Sequence, residues 1–153
     1  LAAQFAQNGF DLFIVAEDEG ITQAAEDLRQ LGTNVQAVQQ DLASHDGVEA
    51  FYRIVTSGGR PIEAIAINAG IGLGGKFWET DIEKEMKLIN LNVMSSAHLA
   101  KRVVQDMVKR GQGGKILFTS SIAAEIPGTY SAVYNASKAF IHSLAEALHY
   151  ELK

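Results

Sequence analysis

Short runs of apolar and β-branched residues alternate along the chain with longer stretches whose apolar residues recur every three or four positions. "DLFIVA" (11–16), "NVQAVQ" (34–39), "IEAIAI" (62–67) and "KILFTS" (115–120) predict strands. Several are apolar at nearly every position, as strands covered on both faces of a parallel sheet are. Between them, Ile21, Ala24, Ala25, Leu28 and Leu31 make one helical face, and Val48, Phe51 and Val55 another. A longer helix is predicted from Ile82, Met86, Ile89, Val93, Ala97, Ala100, Val104 and Met107. "TDIE" (80–83) opens it as a capping box, with Thr80 as N-cap and Glu83 reaching back. A last helix runs from Ser131, with Val133, Ala136, Phe140, Leu144 and Leu148 on its core side.

Strand-helix alternation of this kind predicts a doubly wound α/β fold, a parallel sheet of Rossmann type with flanking helices. Both ends read as cut. "LAAQFAQNG" (1–9) begins inside a helix that Gly9 closes, and "ALHYELK" (147–153) stops inside another. A Rossmann-type sheet orders its strands 3-2-1-4-5-6. If the first visible strand is number two, its neighbour towards strand four is missing. Two separate strand pairs are therefore expected, within one partial domain covering residues 1–153.

Composition narrows the classes. With 153 residues, 47% hydrophobic and 20% charged, the chain has the make-up of an ordinary globular domain with a sizeable core. A net charge of −5 argues against nucleic acid or an anionic membrane as partner. The chain has no cysteine, which excludes disulfides, cysteine-ligated zinc and a thiol nucleophile, and fits a reducing cytoplasm. No apolar run approaches the roughly 20 residues that span a bilayer, and no signal peptide opens the sequence.

Candidate chemistry sits towards the end. "YNASK" (134–138) puts Tyr134 four residues ahead of Lys138, with Ser121 thirteen residues behind the tyrosine. Four tyrosines and eight lysines in 153 residues make about 0.2 such pairs by chance, so the pair alone is weak. Residues four apart on a helix share a face, with Cβ atoms about 5–6 Å apart. A free tyrosine phenol titrates near pH 10, and a neighbouring ammonium favours its phenolate form. A phenol so placed can act as general acid or base. A serine at the carboxyl end of a strand stands where such folds bind ligands.

The strand-helix pattern, "NAG" (68–70), "NLN" (90–92), Ser121, Tyr134 and Lys138 together resemble the short-chain dehydrogenase/reductase family, over essentially the whole chain. The resemblance implies an NAD(P)-dependent oxidoreductase that moves a hydride between the dinucleotide and an alcohol or carbonyl compound. It implies Tyr134 as general acid/base, Lys138 as its tuner and holder of the nicotinamide ribose, and Ser121 as partner of the substrate oxygen. Asn92 completes the family's tetrad by ordering a proton-carrying water. Asn68, Ala69 and Gly70 correspond to the turn beside the cofactor, and Asp41, followed by Leu42, to the aspartate that contacts adenine. Members commonly form dimers or tetramers through the long helix and the Tyr/Lys helix. Here the outer faces of residues 82–110 and 139–152 carry Met107, His142, Ala145 and His149.

The ribose end is expected after the first strand, at "EDE" (17–19). An acidic residue there accepts from a 2′-hydroxyl and repels a 2′-phosphate. No arginine or lysine occurs before Arg29. NAD is therefore expected over NADP, through Glu17 in preference to Asp18, although a basic residue outside the sequence would reverse the choice.

Three features read more plainly. Gly70, Gly72 and Gly75 spell GxGxxG, but the next helix is expected only near Asp81, too far to present its N-terminus to a phosphate. That stretch reads as the "NAG" turn followed by an active-site loop. His45, His98, His142 and His149 lack metal-site spacing, and no metal is expected. Trp78 fits a pocket wall or plain packing equally. The competing functional class is a dinucleotide-binding regulator or scaffold that kept the fold and lost the chemistry; such proteins usually break the Tyr/Lys/Ser set, which is intact here.

Overall fold

The computed structural model describes residues 1–153, which divide into two compact units: Leu1–Leu42 with Asp46–Pro61, and Ala43–His45 with Ile62–Lys153. The strands pair as anticipated, in two separate two-stranded parallel sheets.

The first unit holds α1 (Ala2–Gln7), β1 (Leu12–Ala16), α2 (Gly20–Arg29), β2 (Val35–Gln39) and all but the first residue of α3 (His45–Thr56). Gly9 closes α1 in a left-handed turn at φ +81°: its N–H donates to Ala6 O at 3.0 Å, and Phe10 N–H donates to Phe5 O at 3.1 Å. The Phe5 and Phe10 rings then meet edge to face at 5.4 Å, the apolar contact that accompanies such a helix end. β1 and β2 run in register from Leu12 opposite Val35 to Ala16 opposite Gln39. Ala25, Val35, Val38, Val48 and Phe51 are buried. Asp11, just before β1, accepts from Asn34 N–H at 3.2 Å, just before β2, and from Arg60 Nη1 at 2.7 Å.

The second unit holds β3 (Ala64–Ile67), α4 (Ile82–Ile89), a π-helical turn (Asn90–Ser95), α5 (Ser96–Arg110), β4 (Lys115–Phe118), a 3₁₀ turn (Ile122–Ala124) and α6 (Ala132–Glu151). β3 and β4 pair from Ala64 opposite Lys115 to Ile67 opposite Phe118. Leu88, Leu99, Ala100, Val103, Met107 and Ile141 fill the core. Full burial of a side chain such as Leu88 or Val103 stabilises a fold by about 1.5–3 kcal/mol.

Several local expectations are corrected. The N-cap of α4 is Asp81, whose carboxylate accepts from Glu83 N–H at 2.8 Å; Thr80 instead donates to the buried Glu85 Oε1 at 2.6 Å. The long helix is not uniform, because a π turn separates α4 from α5. Its buried residues are Glu85, Leu88, Asn92, Ser95, Ser96, Leu99, Ala100, Val103 and Met107. The apolar stripe that predicts the helix is turned outward at its start, with Ile82 62% and Met86 44% exposed. α6 is turned in the same sense: it buries Asn135, Ser137, Lys138 and Ile141, while Ala136 and Phe140 are exposed. Both helices carry apolar residues on more than one face, so spacing alone fits either face. Met107, expected on an outer face, is 7% exposed. No helix is long and apolar enough to cross a membrane.

Candidate active site

The second unit brings four of the candidate segments together. Lys138 lies on the buried face of α6, 7% exposed, with Nζ 5.9 Å from the centre of the Tyr134 ring one turn earlier. An ammonium so far from water needs acceptors, and Thr119 O accepts from it at 2.9 Å. Thr119, one residue past β4, also donates through its hydroxyl to Asn68 Oδ1 at 2.8 Å, joining the "NAG" turn to the end of β4. Ser120 Oγ donates to Lys138 O at 3.2 Å, which ties α6 to the same strand end.

Asn92 sits in the π turn, a geometry found disproportionately at functional sites, and is 2% exposed. Its amide makes three hydrogen bonds. Oδ1 accepts from Ile71 N–H at 2.9 Å, while Nδ2 donates to Ile71 O at 2.9 Å and to Ser137 Oγ at 3.1 Å. The Ser137 hydroxyl in turn donates to Tyr134 O at 2.7 Å.

Ser121 is the N-cap of the 3₁₀ turn that packs against α6, and its Oγ accepts from Ala123 N–H at 3.2 Å. Its hydroxyl proton remains available to a ligand oxygen. Gly70 is required by close approach: a Cβ there would lie 3.1 Å from Asn92 Oδ1 and 3.6 Å from Lys138 Nζ. The glycine thus keeps open the space beside the lysine that a larger residue would fill.

The GxGxxG stretch has no adjoining helix, since α4 begins only at Ile82. Gly75 N–H instead donates to Tyr130 O at 2.8 Å, and Tyr130 is held at φ +63°, a left-handed conformation uncommon for an aromatic residue. Trp78 is 78% exposed, with Lys76 Nζ 5.7 Å from its ring. His142 faces Glu125 and Glu146 at 3.5 and 3.6 Å.

The remaining candidates belong to the first unit. Glu17 and Asp18 follow β1, and Asp41 and Leu42 follow β2, at the carboxyl ends of two paired strands. Gln39 Nε2 donates to Glu17 O at 3.1 Å, and Gln40 N–H to Ala16 O at 2.8 Å. Asp18 Oδ1 accepts from Gly20 N–H at 2.8 Å, at the start of α2. Leu42 is buried and Asp41 exposed.

Thr119, Ser137 and the Ile71 backbone were not singled out from the sequence. Ser137 carried a usable signal: it lies three residues after Tyr134, so a helix turns it towards the same side, and a small polar residue there asks for a partner. Nothing local in the sequence marks the π turn.

Parallel strands with helices between them define a partial Rossmann-type α/β fold, with a buried lysine beside a tyrosine at the strand ends. The chain belongs to the short-chain dehydrogenase family, whose model matches residues 1–153. Among its relatives is an L-rhamnose 1-dehydrogenase (NAD(P)(+)) of Sphingomonas sp. (strain SKA58), 28% identical over 93% of this chain and 57% of that protein. Similar solved structures include a short-chain dehydrogenase/reductase from Burkholderia phymatum in complex with NAD, with a TM-score of 0.92 and 28% identity. That likeness covers 99% of this chain and 55% of the other. A short-chain dehydrogenase from Sphingobium yanoikuyae in complex with NADPH gives 0.90 and 32%, over 99% of this chain and 59% of that one. The chain thus spans a little over half the length of these proteins.

Proposed function

We propose that this chain is the catalytic part of an oxidoreductase that transfers a hydride between a nicotinamide dinucleotide and an alcohol or carbonyl compound. The observation that carries the reading is the buried Lys138 ammonium beside the Tyr134 ring, next to space that Gly70 leaves open. A regulator that had lost the chemistry has no need to keep a buried charge at that place, so the binding-only reading ranks second.

The residues suit a nicotinamide ribose. Lys138 has three N–H donors, of which Thr119 O takes one. Asn68, Ala69 and Gly70 offer a turn without bulk, Glu17 an acceptor for the adenosine ribose, and Asp41 and Leu42 a contact for adenine. When bound, the dinucleotide supplies the hydride or accepts it. Tyr134 gives a proton to the carbonyl oxygen in reduction, or removes it from the hydroxyl in oxidation, and Ser121 holds that oxygen by its hydroxyl proton. Lys138 stabilises the phenolate, which proton donation leaves behind in reduction and which takes up the proton in oxidation. Asn92 holds the Ile71 turn against the Tyr/Lys helix and orders a water that renews the proton.

The partner we propose besides the substrate is a second copy of the chain. Phe77, Ile89, Val93, Ala132, Val133, Ala136 and Phe140 border an open apolar groove of about 460 Å³ on the outward sides of α4 and α6. The test of function is direct. The full-length protein that carries this chain, given NAD and a panel of secondary alcohols, should form NADH, and its Tyr134→Phe variant should not. Absence of hydride transfer alongside normal dinucleotide binding would favour the regulator.

A further inference from the structure

We propose that Ser137 is a positioning residue, which locks the Asn92 amide and the Tyr134 carbonyl into one arrangement. This rests on the functional reading above for its consequence, though not for its geometry. Ser137 is 3% exposed, and its hydroxyl has one proton. That proton goes to Tyr134 O at 2.7 Å. The oxygen can therefore meet Asn92 only as an acceptor, and it takes Nδ2–H at 3.1 Å.

The consequence for Asn92 is a single allowed orientation. Its other contacts, Oδ1 from Ile71 N–H and Nδ2 to Ile71 O, agree with the same assignment of oxygen and nitrogen. Turning the amide over would face Oδ1 with two acceptors and Nδ2 with a donor. Ser137 thus ties the π turn to the first turns of α6, and Asn92 carries the tie on to the loop after β3. The Asn92 amide and the Tyr134 backbone carbonyl are separated by one hydroxyl. Without that hydroxyl, an Asn92 N–H is left buried without its partner and the π turn loses a side-chain tie to α6. The effect falls on proton transfer, since Lys138 keeps its own bonds to Thr119 and the dinucleotide residues are untouched.

Ser137→Ala in the full chain should lower kcat about tenfold, the scale of one lost hydrogen bond. Dinucleotide affinity should stay within about twofold, and the solvent deuterium isotope effect on kcat should rise as proton transfer becomes limiting. Exchange of the Asn92 side-chain amide protons, followed by NMR, should quicken about tenfold or more. Ser137→Thr should restore all of these, because a helical threonine hydroxyl bonds the same carbonyl and the adjoining groove receives its methyl group. Unchanged Asn92 exchange in Ser137→Ala, or a kcat within twofold of wild type, overturns the proposal. So does equal loss in the Ala and Thr variants with parallel falls in melting temperature, which would mean packing alone. An inactive wild-type chain would sink the oxidoreductase reading instead, and the exchange measurement would then decide the bridge by itself.

Discussion

Lys138 holds its ammonium 5.9 Å from the centre of the Tyr134 ring while donating to Thr119 O, so a strand end and a helix jointly fix one cation beside one phenol. Removing the phenol oxygen deletes the proposed proton donor and leaves the ring's packing. Tyr134→Phe should therefore cut turnover by about 10²–10⁴-fold with nearly unchanged dinucleotide affinity. Lys138→Ala should damage both, since the lysine serves the tyrosine and the ribose. Steady-state kinetics with fluorescence titration of the dinucleotide checks this, and near-normal turnover in Tyr134→Phe would overturn the assignment.

Cofactor preference turns on the two acids after β1. Asp18 accepts from Gly20 N–H, which sets its carboxylate at the start of α2, and Glu17, directly after β1, is the proposed ribose acceptor. NAD should then bind tighter than NADP. Glu17→Arg should move the ratio towards NADP by about tenfold or more, the scale of a charge-assisted hydrogen bond gained and a repulsion removed. Asp18→Asn should move it little. The two solved relatives carry NAD in one case and NADPH in the other, so titration of both dinucleotides is the measurement that counts. Tighter NADP binding by the wild type would reverse the prediction.

What the sequence made legible follows from how strongly each feature is encoded locally. Strands appeared within a residue or two of their places because continuous apolar runs such as "AIAI" have no other use in a fold of this kind. Gly9 announced a helix end because few other residues tolerate its φ. The faces of the two long helices were misjudged. Period detects a stripe but not what covers it, and on α6 the buried face is made of Asn135, Ser137 and Lys138, which hydropathy reads as solvent-facing. Those polar groups are tolerated inside because they bond one another and neighbouring backbone, a tertiary fact invisible in a single helix. The π turn was hidden for the same reason.

Acid should find a weak point in the first unit. The Asp11 carboxyl is held below the usual aspartate range chiefly by the hydrogen bond from Arg60, with Asn34 N–H assisting. A carboxyl lowered in the folded state adds stability above its unfolded value, near 3.9, and loses it as pH falls through the folded value. Asp11→Asn should thus melt lower than wild type at pH 6, with the gap narrowing as pH falls below the unfolded value. The site is solvent-exposed, so the gap should also shrink in high salt. Melting curves across pH would show it; a gap that stayed constant with pH would remove the carboxylate from the explanation.

Self-association is the reading that best fits the outward apolar faces. Ile82 and Met86 at the start of α4 are 62% and 44% exposed, and Phe140 on α6, 41% exposed, borders the groove together with Val133 and Ala136. Apolar patches of this extent usually mark interaction sites. The expected interface differs from one built on Met107, which is core, or on His142, which faces two glutamates. In a two-fold dimer every residue of the patch is used twice, so one added charge enters the interface as two like charges. Phe140→Glu should therefore shift the full chain towards monomer at micromolar concentration. Tyr134 and Lys138, on the other side of α6, should keep their hydrogen-bonded setting. Light scattering across a dilution series reads the mass directly. A wild-type chain already monomeric under those conditions, or a Phe140→Glu variant of unchanged mass, would show that the groove is not where copies meet.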